Sequence, residues 1–397
     1  MLHQCLVSIK KPFIKMVPVP TPICISGLGK VNDIADVCRD LLVTSPCIVT
    51  DGSLMKLGLL DGLLRSLDDA GVVYSIFDAI TPDPDFDMVR RGVVHYQQHV
   101  NDGVIAFGGG SAIDCAKAIA ASVKTNRDVA RLPGLLKVHR RLMPIIAIPT
   151  TAGTGSECTV AAVVSDVKAR KKRSITDPSL VPKVAILDPS LMIGLPAQVT
   201  AETGIDALTH AIESYLSGYA NSQTRAWSVG AINKIVNHLP DAYHHGGNVP
   251  AREQMALASF EAGLAFTRTY IGYVHAIAHQ LGAFYHVPHG RANAIVLPHV
   301  LQFIQHRDNA RLTQLAIELG YKDTVELSVS QQLNTAITTL LDTVGIPKTV
   351  KELTVQDIPR IAEQAIKEAF GEYPVPEVMS LSECQQILEK LVDEGVE

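Results

Sequence analysis

Short apolar runs alternate with amphipathic stretches along the first half of the chain. Each run is followed by a turn rich in Gly, Pro, Asp or Thr, which is typical of buried strands. Stretches with apolar residues three and four positions apart lie between the runs and predict helices. Strands that alternate with helices favour a parallel sheet covered by helices on both faces. The predicted strands are 46–50, 72–78, 103–107, 143–148 and 184–187, and the clearest helices between them are 55–70 and 112–123.

From about Pro196 the apolar residues are spaced three and four apart, and strand-like runs disappear. The second half is therefore predicted to be all-helical. The boundary falls in the turn-rich stretch 188–196, which gives an α/β domain over residues 1–195 and a helical domain over residues 196–397. The clearest helical stretches are 200–217, 222–239, 251–283 and 378–394.

Composition and charge narrow the class of protein. The 397 residues are 47% hydrophobic and 19% charged, which excludes a disordered chain. The net charge of −5, from 35 Lys and Arg against 40 Asp and Glu, offers no basic field to nucleic acid. No apolar run reaches the ~18 residues of a membrane helix, and Lys10, Lys11 and Lys15 interrupt the first candidate. The seven scattered cysteines form no C-x-x-C pair, so we expect a reduced, cytoplasmic protein that binds neither nucleic acid nor membranes.

A glycine-rich turn follows the third predicted strand. Gly108, Gly109 and Gly110 lead into a helix that we expect to start at Ser111. Backbone without Cβ atoms can approach an anion closely, and the free N–H groups and dipole of a helix start favour negative charge. The turn therefore suits a dinucleotide pyrophosphate. An ordinary glycine turn capped by Ser111 is the alternative, because the spacing is not the usual G-x-G-x-x-G.

Two further strand ends carry candidates for nucleotide contacts. The loop 149–157 contains Thr150, Thr151 and Thr154, whose hydroxyls suit the ribose and nicotinamide end of a cofactor. Asp51 ends the first predicted strand, where a carboxylate accepts hydrogen bonds from a ribose diol and repels a 2′-phosphate. Open α/β sheets bind ligands at the carboxyl ends of their strands, so these positions favour NAD over NADP. Taken singly, each is also compatible with an ordinary polar turn.

One carboxylate and several histidines recur with helical spacing in the second half. Asp206 and His210 are four residues apart and share a helix face, and His275 and His279 repeat that spacing. His289 follows at a Pro-His-Gly turn. One carboxylate with three imidazoles suits a divalent transition metal such as Fe²⁺, Zn²⁺ or Ni²⁺, with a position left for substrate. The candidate ligands are therefore Asp206, His210, His275 and His289.

Four stretches together resemble the iron-containing, or group III metal-dependent, alcohol dehydrogenase family. They are GGGSAIDCAKAIA, PTTAGTGSE, GIDALTHAIE and HAIAHQLGAFYHVPHG, in the expected order between about residues 45 and 300. The resemblance implies that the four candidate ligands hold the metal, with Fe²⁺ as the first choice, and that His279 lies beside the nicotinamide without binding the metal. It also implies that Phe266 lines the substrate pocket and that Lys172 reaches the cofactor, with a solvated basic hairpin as the alternative for Lys172. The implied cofactor contacts are Asp51, Gly108, Gly109, Gly110, Ser111, Asp114, Thr150, Thr151, Thr154 and Lys172.

The resemblance implies an α/β N-terminal domain with a mainly parallel, Rossmann-like sheet, plus an all-α C-terminal domain. The implied activity is NAD(H)-linked interconversion of a small alcohol with its aldehyde or ketone in a homodimer, with His279 as the proton relay. A glycerol-dehydrogenase-like or dehydroquinate-synthase-like enzyme and a non-catalytic NAD-binding protein are the alternatives. A metal-dependent hydrolase or lyase is disfavoured because the chain has no H-E-x-x-H motif. His286 is an additional imidazole that either competes as a ligand or narrows the alcohol pocket.

Overall fold

A six-stranded parallel sheet forms the centre of the first half of the chain. The computed structural model describes residues 2–167, 169, 171–307 and 309–393. Its strands are β1 (Ile23–Ser26), β2 (Pro46–Val49), β3 (Ser75–Phe77), β4 (Gly103–Gly108), β5 (Gly134–Leu135), β6 (Ile145–Pro149), β7 (Ala161–Asp166), β8 (Lys171–Thr176) and β9 (Val184–Leu187). The main sheet has the order β1-β9-β6-β4-β2-β3 with every pair parallel, which confirms the predicted parallel sheet.

The order of the strands creates a switch point at the carboxyl ends of β2 and β4. After β2 the chain adds β3 on one side and then returns to place β4 on the other side of β2. Connections on either side of such a pair run in opposite directions and leave a crevice, which is where open α/β sheets bind ligands. Asp51 follows β2 and Gly109 follows β4, so both lie at this point.

Helices follow one another through the second half and also flank the sheet. They are α1 (Leu2–Met16), α2 (Ile34–Asp40), α3 (Gly52–Lys56), α4 (Asp61–Asp69), α5 (Phe86–Gln98), α6 (Gly110–Thr125), α7 (Ala197–Leu216), α8 (Ser222–His244), α9 (Val249–Thr269), α10 (Tyr273–Tyr285), α11 (His289–Gln305), α12 (Ala310–Glu318), α13 (Val329–Thr343), α14 (Ile358–Ala369) and α15 (Leu381–Glu389). The predicted helical second half is confirmed. Among the helices of the described residues, none is long and apolar enough to cross a bilayer.

Alternate residues of the central strands point to opposite faces of the sheet. Val104 and Ala106 of β4 join a buried apolar cluster with residues of α5 and α6. Ile105 and Phe107 join a second cluster with residues of α2 and α4. Helices therefore cover both faces, as the continuous apolar runs predicted.

Two predicted helices are interrupted in the structure. The stretch 55–70 is divided between α3 and α4 by a turn that contains Gly58. The stretch 251–283 is divided at 270–272, where Tyr270 adopts a left-handed φ of 64°. At that break, Glu213 accepts hydrogen bonds from the Gly272 and Val274 N–H groups, which the start of α10 leaves without helical partners. A contact from another helix thus accompanies the break, although the hydrophobic period continues across it.

A small second sheet, β5-β8-β7, is not predicted by the sequence pattern. Strands β7 and β8 pair antiparallel, and Ser165 lies opposite Lys172. The strand β8 is largely exposed and polar, so it lacks the apolar run by which the parallel strands are predicted. The hairpin determines where Lys172 lies.

The structure divides into two compact units. One unit comprises Met1–Val17, Pro196–Gly246 and Leu264–Glu397, and the other comprises Pro18–Leu195 and Gly247–Gly263. The helical unit thus also takes in α1, and the α/β unit takes in the first part of α9, because the chain passes between the units more than once. A single domain boundary near residue 196 stays a prediction. Met1, Lys168, Arg170, Asp308 and residues 394–397, which the expected domains include, lie outside the described residues.

A buried lysine and a buried glutamate support the loop after β6. Lys117 of α6 donates from Nζ to Thr159 O and Ala161 O at 2.8 and 2.9 Å, and burial lowers its pKa to about 8. Glu157 is 2% exposed, and burial raises its pKa to about 7, a shift that its own backbone N–H and Lys117 only partly oppose. The ionised form of Glu157 is therefore unfavourable in the folded protein.

This burial predicts a pH-dependent cost to stability. In the unfolded chain Glu157 ionises near 4.5, so the folded state loses stability as the pH rises from 4.5 to about 7. We expect Glu157→Gln to remove that loss. The difference in Tm, variant minus parent, should then rise by a few °C between pH 5 and pH 8. The conversion used is that about 1 kcal/mol of stability shifts Tm by roughly 2–4 °C. Glu352→Gln, at an exposed position, is the matched control. A Tm difference for Glu157→Gln that stays flat with pH contradicts the prediction.

Candidate active site

Two candidate metal ligands lie one turn apart on the long helix α7. Asp206 and His210 are both buried, with 2% and 5% of their surfaces exposed. His275, near the start of α10, is buried as well. One ligand atom from each of these three residues lies within 4.8 Å of the other two. The structure therefore brings three of the four predicted ligands together in a spacing that can hold a metal ion.

The fourth candidate, His289, is the first residue of α11. Its Nε2 lies 3.5 Å from Asp206 Oδ1, and its ring centre lies 5.4 Å from that of His275. Gly290 permits this approach, because a Cβ atom on it would lie 2.3 Å from the carbonyl oxygen of Glu202 on α7. Only glycine lets α11 start so close to α7, which explains the Pro-His-Gly sequence.

Sequence reasoning missed Glu213, which orients His275. Glu213 Oε2 accepts from Gly272 N at 2.7 Å and lies 2.6 Å from His275 Nδ1, while Oε1 accepts from Val274 N at 2.7 Å. A carboxylate only accepts hydrogen bonds, so we assign the His275 proton to Nδ1, which leaves Nε2 as the nitrogen for a metal. The sequence feature that could have identified Glu213 is its position three residues after His210, on the same face of the helix.

Asn293 is a second residue that the sequence analysis missed. It lies four residues after His289, and its Nδ2 donates to Asp206 Oδ1 at 2.7 Å. This contact holds the carboxylate of Asp206 from the side of α11. An amide donor to a ligating carboxylate is a common way to orient it.

The chemistry of the cluster fits a divalent cation. His275 Nε2 is buried without a hydrogen bond and lies 3.7 Å from Asp206 Oδ1. Burial raises the pKa of a carboxyl, but the imidazoles of His210, His289 and His275 outweigh that effect and hold the pKa of Asp206 well below its ordinary value. Burial lowers the pKa of His289, whereas for His275 the carboxylates of Glu213 and Asp206 outweigh burial and raise the pKa to about 9. Metals bind ionised carboxylates and neutral imidazoles, so a cation at this cluster would displace a proton from His275.

His279 lies beside this cluster, and its hydrogen-bond partner is a carboxylate on another helix. Its Nδ1 is 2.6 Å from Glu368 Oε1 of α14. Its ring centre lies 5.3 Å from that of His289 and 6.0 Å from that of His275. Because the carboxylate of Glu368 accepts from Nδ1, we assign Nε2 of His279 as the free acceptor. The sequence analysis did not identify Glu368.

Phe266 contacts the ligand cluster, whereas His286 lies just after the end of α10. The ring of Phe266 stacks on that of His210, with centres 4.1 Å apart and planes inclined by 12°. His286 ends α10 with a left-handed φ of 56°, and its side chain is exposed. Within the described residues, the three-residue ligand cluster of Asp206, His210 and His275 does not include His286.

The switch point of the sheet carries the first nucleotide candidates. Asp51 caps α3, and its Oδ1 accepts from Ser53 N at 2.6 Å. Helix α6 begins at Gly110, one residue before the predicted start at Ser111, and its N-cap is Gly109, so Ser111 is not the cap. A pyrophosphate site at this turn stays a prediction. A glycine cap offers no side chain to the first N–H groups of α6, which leaves them available to an anion.

The second candidate loop packs directly against the first. A Cβ atom on Gly110 would lie 2.9 Å from the Thr154 side chain, and one on Gly109 would lie 3.4 Å from Thr151 Oγ1. Thr150 N donates to Gly108 O at 3.1 Å. Asp114 bonds elsewhere, because its Oδ2 accepts from Val163 N of β7 at 2.9 Å. The loops after β4 and β6 thus form one continuous edge.

Lys172 lies in the exposed hairpin of β7 and β8. Its Nζ is 2.6 Å from Asp83 Oδ1, and the two side chains are 55% and 67% exposed. An exposed ion pair of this kind contributes little to stability, about 0–1 kcal/mol. A contact between Lys172 and the cofactor stays a prediction.

Both halves of the chain match one protein family. The profile "Iron-containing alcohol dehydrogenase" matches residues 20–189, and the profile "Fe-containing alcohol dehydrogenase family, C-terminal" matches residues 200–392. The chain is 38% identical over 348 residues to 1,3-propanediol dehydrogenase of Klebsiella pneumoniae, which covers 86% of this chain and 90% of that protein.

Solved structures show the same relationship. A crystal structure of 1,3-propanediol oxidoreductase has a TM-score of 0.90 and 36% identity, and the match covers 95% of this chain and 100% of that one. Sulfoacetaldehyde reductase from Bifidobacterium kashiwanohense, solved in complex with NAD⁺, has a TM-score of 0.85 and 29% identity, over 95% and 98% of the two chains. With both halves matched in sequence and in fold, the chain belongs to the iron-containing alcohol dehydrogenase family.

Proposed function

We propose that this alcohol dehydrogenase uses NAD(H) and a divalent cation held by Asp206, His210, His275 and His289. The observation that carries the proposal is the cluster of Asp206, His210 and His275, whose ligand atoms lie within 4.8 Å of one another, with His289 Nε2 3.5 Å from Asp206 Oδ1. Fe²⁺ is the first choice because of the family, and Zn²⁺ and Ni²⁺ suit the same donors. The NAD⁺ complex of the Bifidobacterium sulfoacetaldehyde reductase supports NAD as the nucleotide.

The residues around the metal ligands prepare the site. When bound, the cation supplies Lewis acidity to the alcohol or carbonyl oxygen, and NAD(H) supplies the hydride acceptor or donor. Asp206 contributes a negative charge in a buried position, and Asn293 limits its rotation. Glu213 holds His275 so that Nε2 is presented as a ligand.

His279 is the residue we assign to proton transfer. Its Nδ1 is engaged with Glu368, so Nε2 can accept the proton of the alcohol or return it to the product alkoxide. Phe266 lies flat on His210 and gives the pocket an apolar wall. An apolar wall favours the carbon skeleton of a small alcohol over water.

The edge formed after β2, β4 and β6 is the proposed NAD site. The glycine turn at 108–110 and Ser111 offer backbone N–H groups to the pyrophosphate. We assign Asp51 as the acceptor for the adenosine ribose, and Thr150, Thr151 and Thr154 as the hydroxyls at the nicotinamide end. Asp114 and Lys172 complete the predicted contacts.

An activity screen tests this function directly. Protein purified without oxygen is assayed for NAD reduction with a panel of small alcohols that includes 1,3-propanediol, and for NADH oxidation with aldehydes. We expect turnover in both directions with at least one alcohol and aldehyde pair. NAD binding by calorimetry without turnover on the whole panel supports the non-catalytic alternative and contradicts the proposal.

Asp51 predicts the choice between NAD and NADP. We expect Asp51→Gly to raise kcat/KM for NADP relative to NAD by about one to two orders of magnitude, because the variant no longer repels a 2′-phosphate. Asp51→Asn is a matched variant, since it loses the charge but keeps a side chain that can cap α3. A coenzyme ratio that both variants leave unchanged means that the adenosine ribose binds elsewhere.

The assembly and location of the enzyme are also part of the proposal. The family resemblance implies a homodimer, and sedimentation equilibrium of the purified protein tests it. A monomer at micromolar concentration contradicts this assignment. A cytoplasmic location stays a prediction.

A further inference from the structure

The first helix, α1, lies outside the part of the chain that the family profiles match. Those matches begin at residue 20, whereas α1 spans Leu2–Met16. One face of α1 packs on the helical unit through His3, Leu6 and Lys10, which have the spacing i, i+3 and i+7 of a single helix face. His3 is only 3% exposed, although histidine is seldom fully buried. The helix therefore precedes the residues that the family profile matches, and it is bound at a particular place.

That place is the turn after α14. Gly371 N donates to His3 Nδ1 at 3.1 Å, and Lys10 Nζ donates to Gly371 O at 2.7 Å. Lys10 Nζ also pairs with Glu372 Oε1 at 2.7 Å. Gly371 has a left-handed φ of 70°, and a Cβ atom on it would lie 3.2 Å from Leu6 Cδ1. Three side chains of α1 therefore surround a glycine whose conformation few other residues adopt.

The same turn leads to Tyr373, which is bonded to the partner of His279. Tyr373 OH donates to Glu368 Oε1 at 2.7 Å. Glu368 also accepts from Gln280 Nε2 at 2.7 Å and lies 2.6 Å from His279 Nδ1. Three donors on two oxygens fix this carboxylate in one orientation. An unbroken chain of contacts thus runs from α1 through the turn to the proton-transfer histidine.

We propose that α1 is a clamp that positions His279. By holding the turn 370–373, it keeps the Tyr373 hydroxyl on Glu368, and Glu368 then fixes the ring and the Nδ1 proton of His279. Tyr373 and Glu368 are positioning residues in this scheme, and α1 acts through them without contacting the reacting atoms. The inference rests on the proposed role of His279 in proton transfer.

One test measures the hydrogen bond itself. The His279 Nδ1 proton is observed by NMR in metal-free protein labelled with ¹⁵N-histidine and is assigned by its absence in His279→Ala. We expect the signal in the parent and in the Gln4→Ala/Ser8→Ala control, whose residues lie exposed on the same helix. We expect it to be lost or broadened by exchange in Tyr373→Phe and in the clamp variant His3→Ala/Lys10→Met. A signal that neither variant changes overturns the inference, whatever their activity.

A double-mutant cycle separates positioning from general stability. Tyr373→Phe removes one hydrogen bond to a charged group, and we expect kcat to fall roughly tenfold with little change in KM. The clamp variant is expected to lower kcat in the same direction. In a His279→Ala background both changes are expected to have no further effect, because they act through the missing ring. If either change lowers kcat further in the His279→Ala background, its role is merely structural and the inference is overturned.

The two ideas fail in different ways. Parental activity of His279→Ala contradicts the proposed proton transfer, and the NMR signal still decides whether α1 holds the ring. An unchanged signal together with an inactive His279→Ala contradicts the clamp alone.

Discussion

Replacing His275 with alanine is expected to remove most of the bound metal and to reduce turnover to background while the fold survives. His275 Nε2 is buried beside Asp206 and makes no hydrogen bond, so its loss removes a ligand without breaking a hydrogen bond at that atom. Glu213 keeps the Gly272 and Val274 N–H groups as donors, so its carboxylate does not lose all its partners. His289→Ala is expected to behave in the same way.

Metal content and folding are measured on the same samples. Elemental analysis of anaerobically purified protein gives the metal per chain, and circular dichroism reports the helices. His244→Ala, at an exposed position on α8, is the control and is expected to keep parental metal and activity. Full metal occupancy in both His275→Ala and His289→Ala removes them from the ligand set.

His279→Ala is expected to keep its metal and to lose activity by roughly 10²- to 10⁴-fold, the usual contribution of a positioned acid or base. Asp206, His210, His275 and His289 already provide four donors, and a fifth imidazole would occupy the position that the substrate oxygen needs. His279 instead bonds to Glu368 through Nδ1.

The same elemental analysis, paired with steady-state rates, distinguishes the roles of His279. Joint loss of metal and activity makes His279 a ligand. Metal and activity both at the parental level make it a bystander. Retained metal with low kcat is the outcome that the proposed mechanism requires.

The local part of the site is visible in the sequence. Asp206 and His210 share a helix face by spacing alone, and the glycine turn at 108–110 follows directly from a strand that ends in apolar residues. These features depend on residues close together in the chain. The same holds for the parallel sheet, because a buried strand and its following helix each have their own hydrophobic period.

The partners of the site residues could not be predicted in this way. Glu213 and Glu368 meet His275 and His279 only after α7, α14 and α10 have packed, and their sequence positions are ordinary for helix residues. The break at 270–272 has the same origin, since Glu213 takes the N–H groups at the start of α10. The hydrophobic period continues across that break and predicts one helix where there are two.

Exposed elements were missed for a different reason. The hairpin of β7 and β8 is polar along β8, and α1 has lysines that interrupt its apolar positions. A hydrophobic pattern in the sequence reflects burial, and β8 and much of α1 are exposed. Their positions are determined by particular polar contacts, such as Lys10 with Gly371 O.

The central claim is that NAD-linked alcohol oxidation requires a divalent cation in the cluster around Asp206. Metal-free protein titrated with Fe²⁺ under nitrogen, with bound iron and NAD reduction followed together, tests it most directly. We predict a rate at background without metal that rises in proportion to bound iron and levels off at about one ion per chain. Full activity of the metal-free protein, or iron binding in the parent that His275→Ala and His289→Ala leave unchanged, would contradict the account.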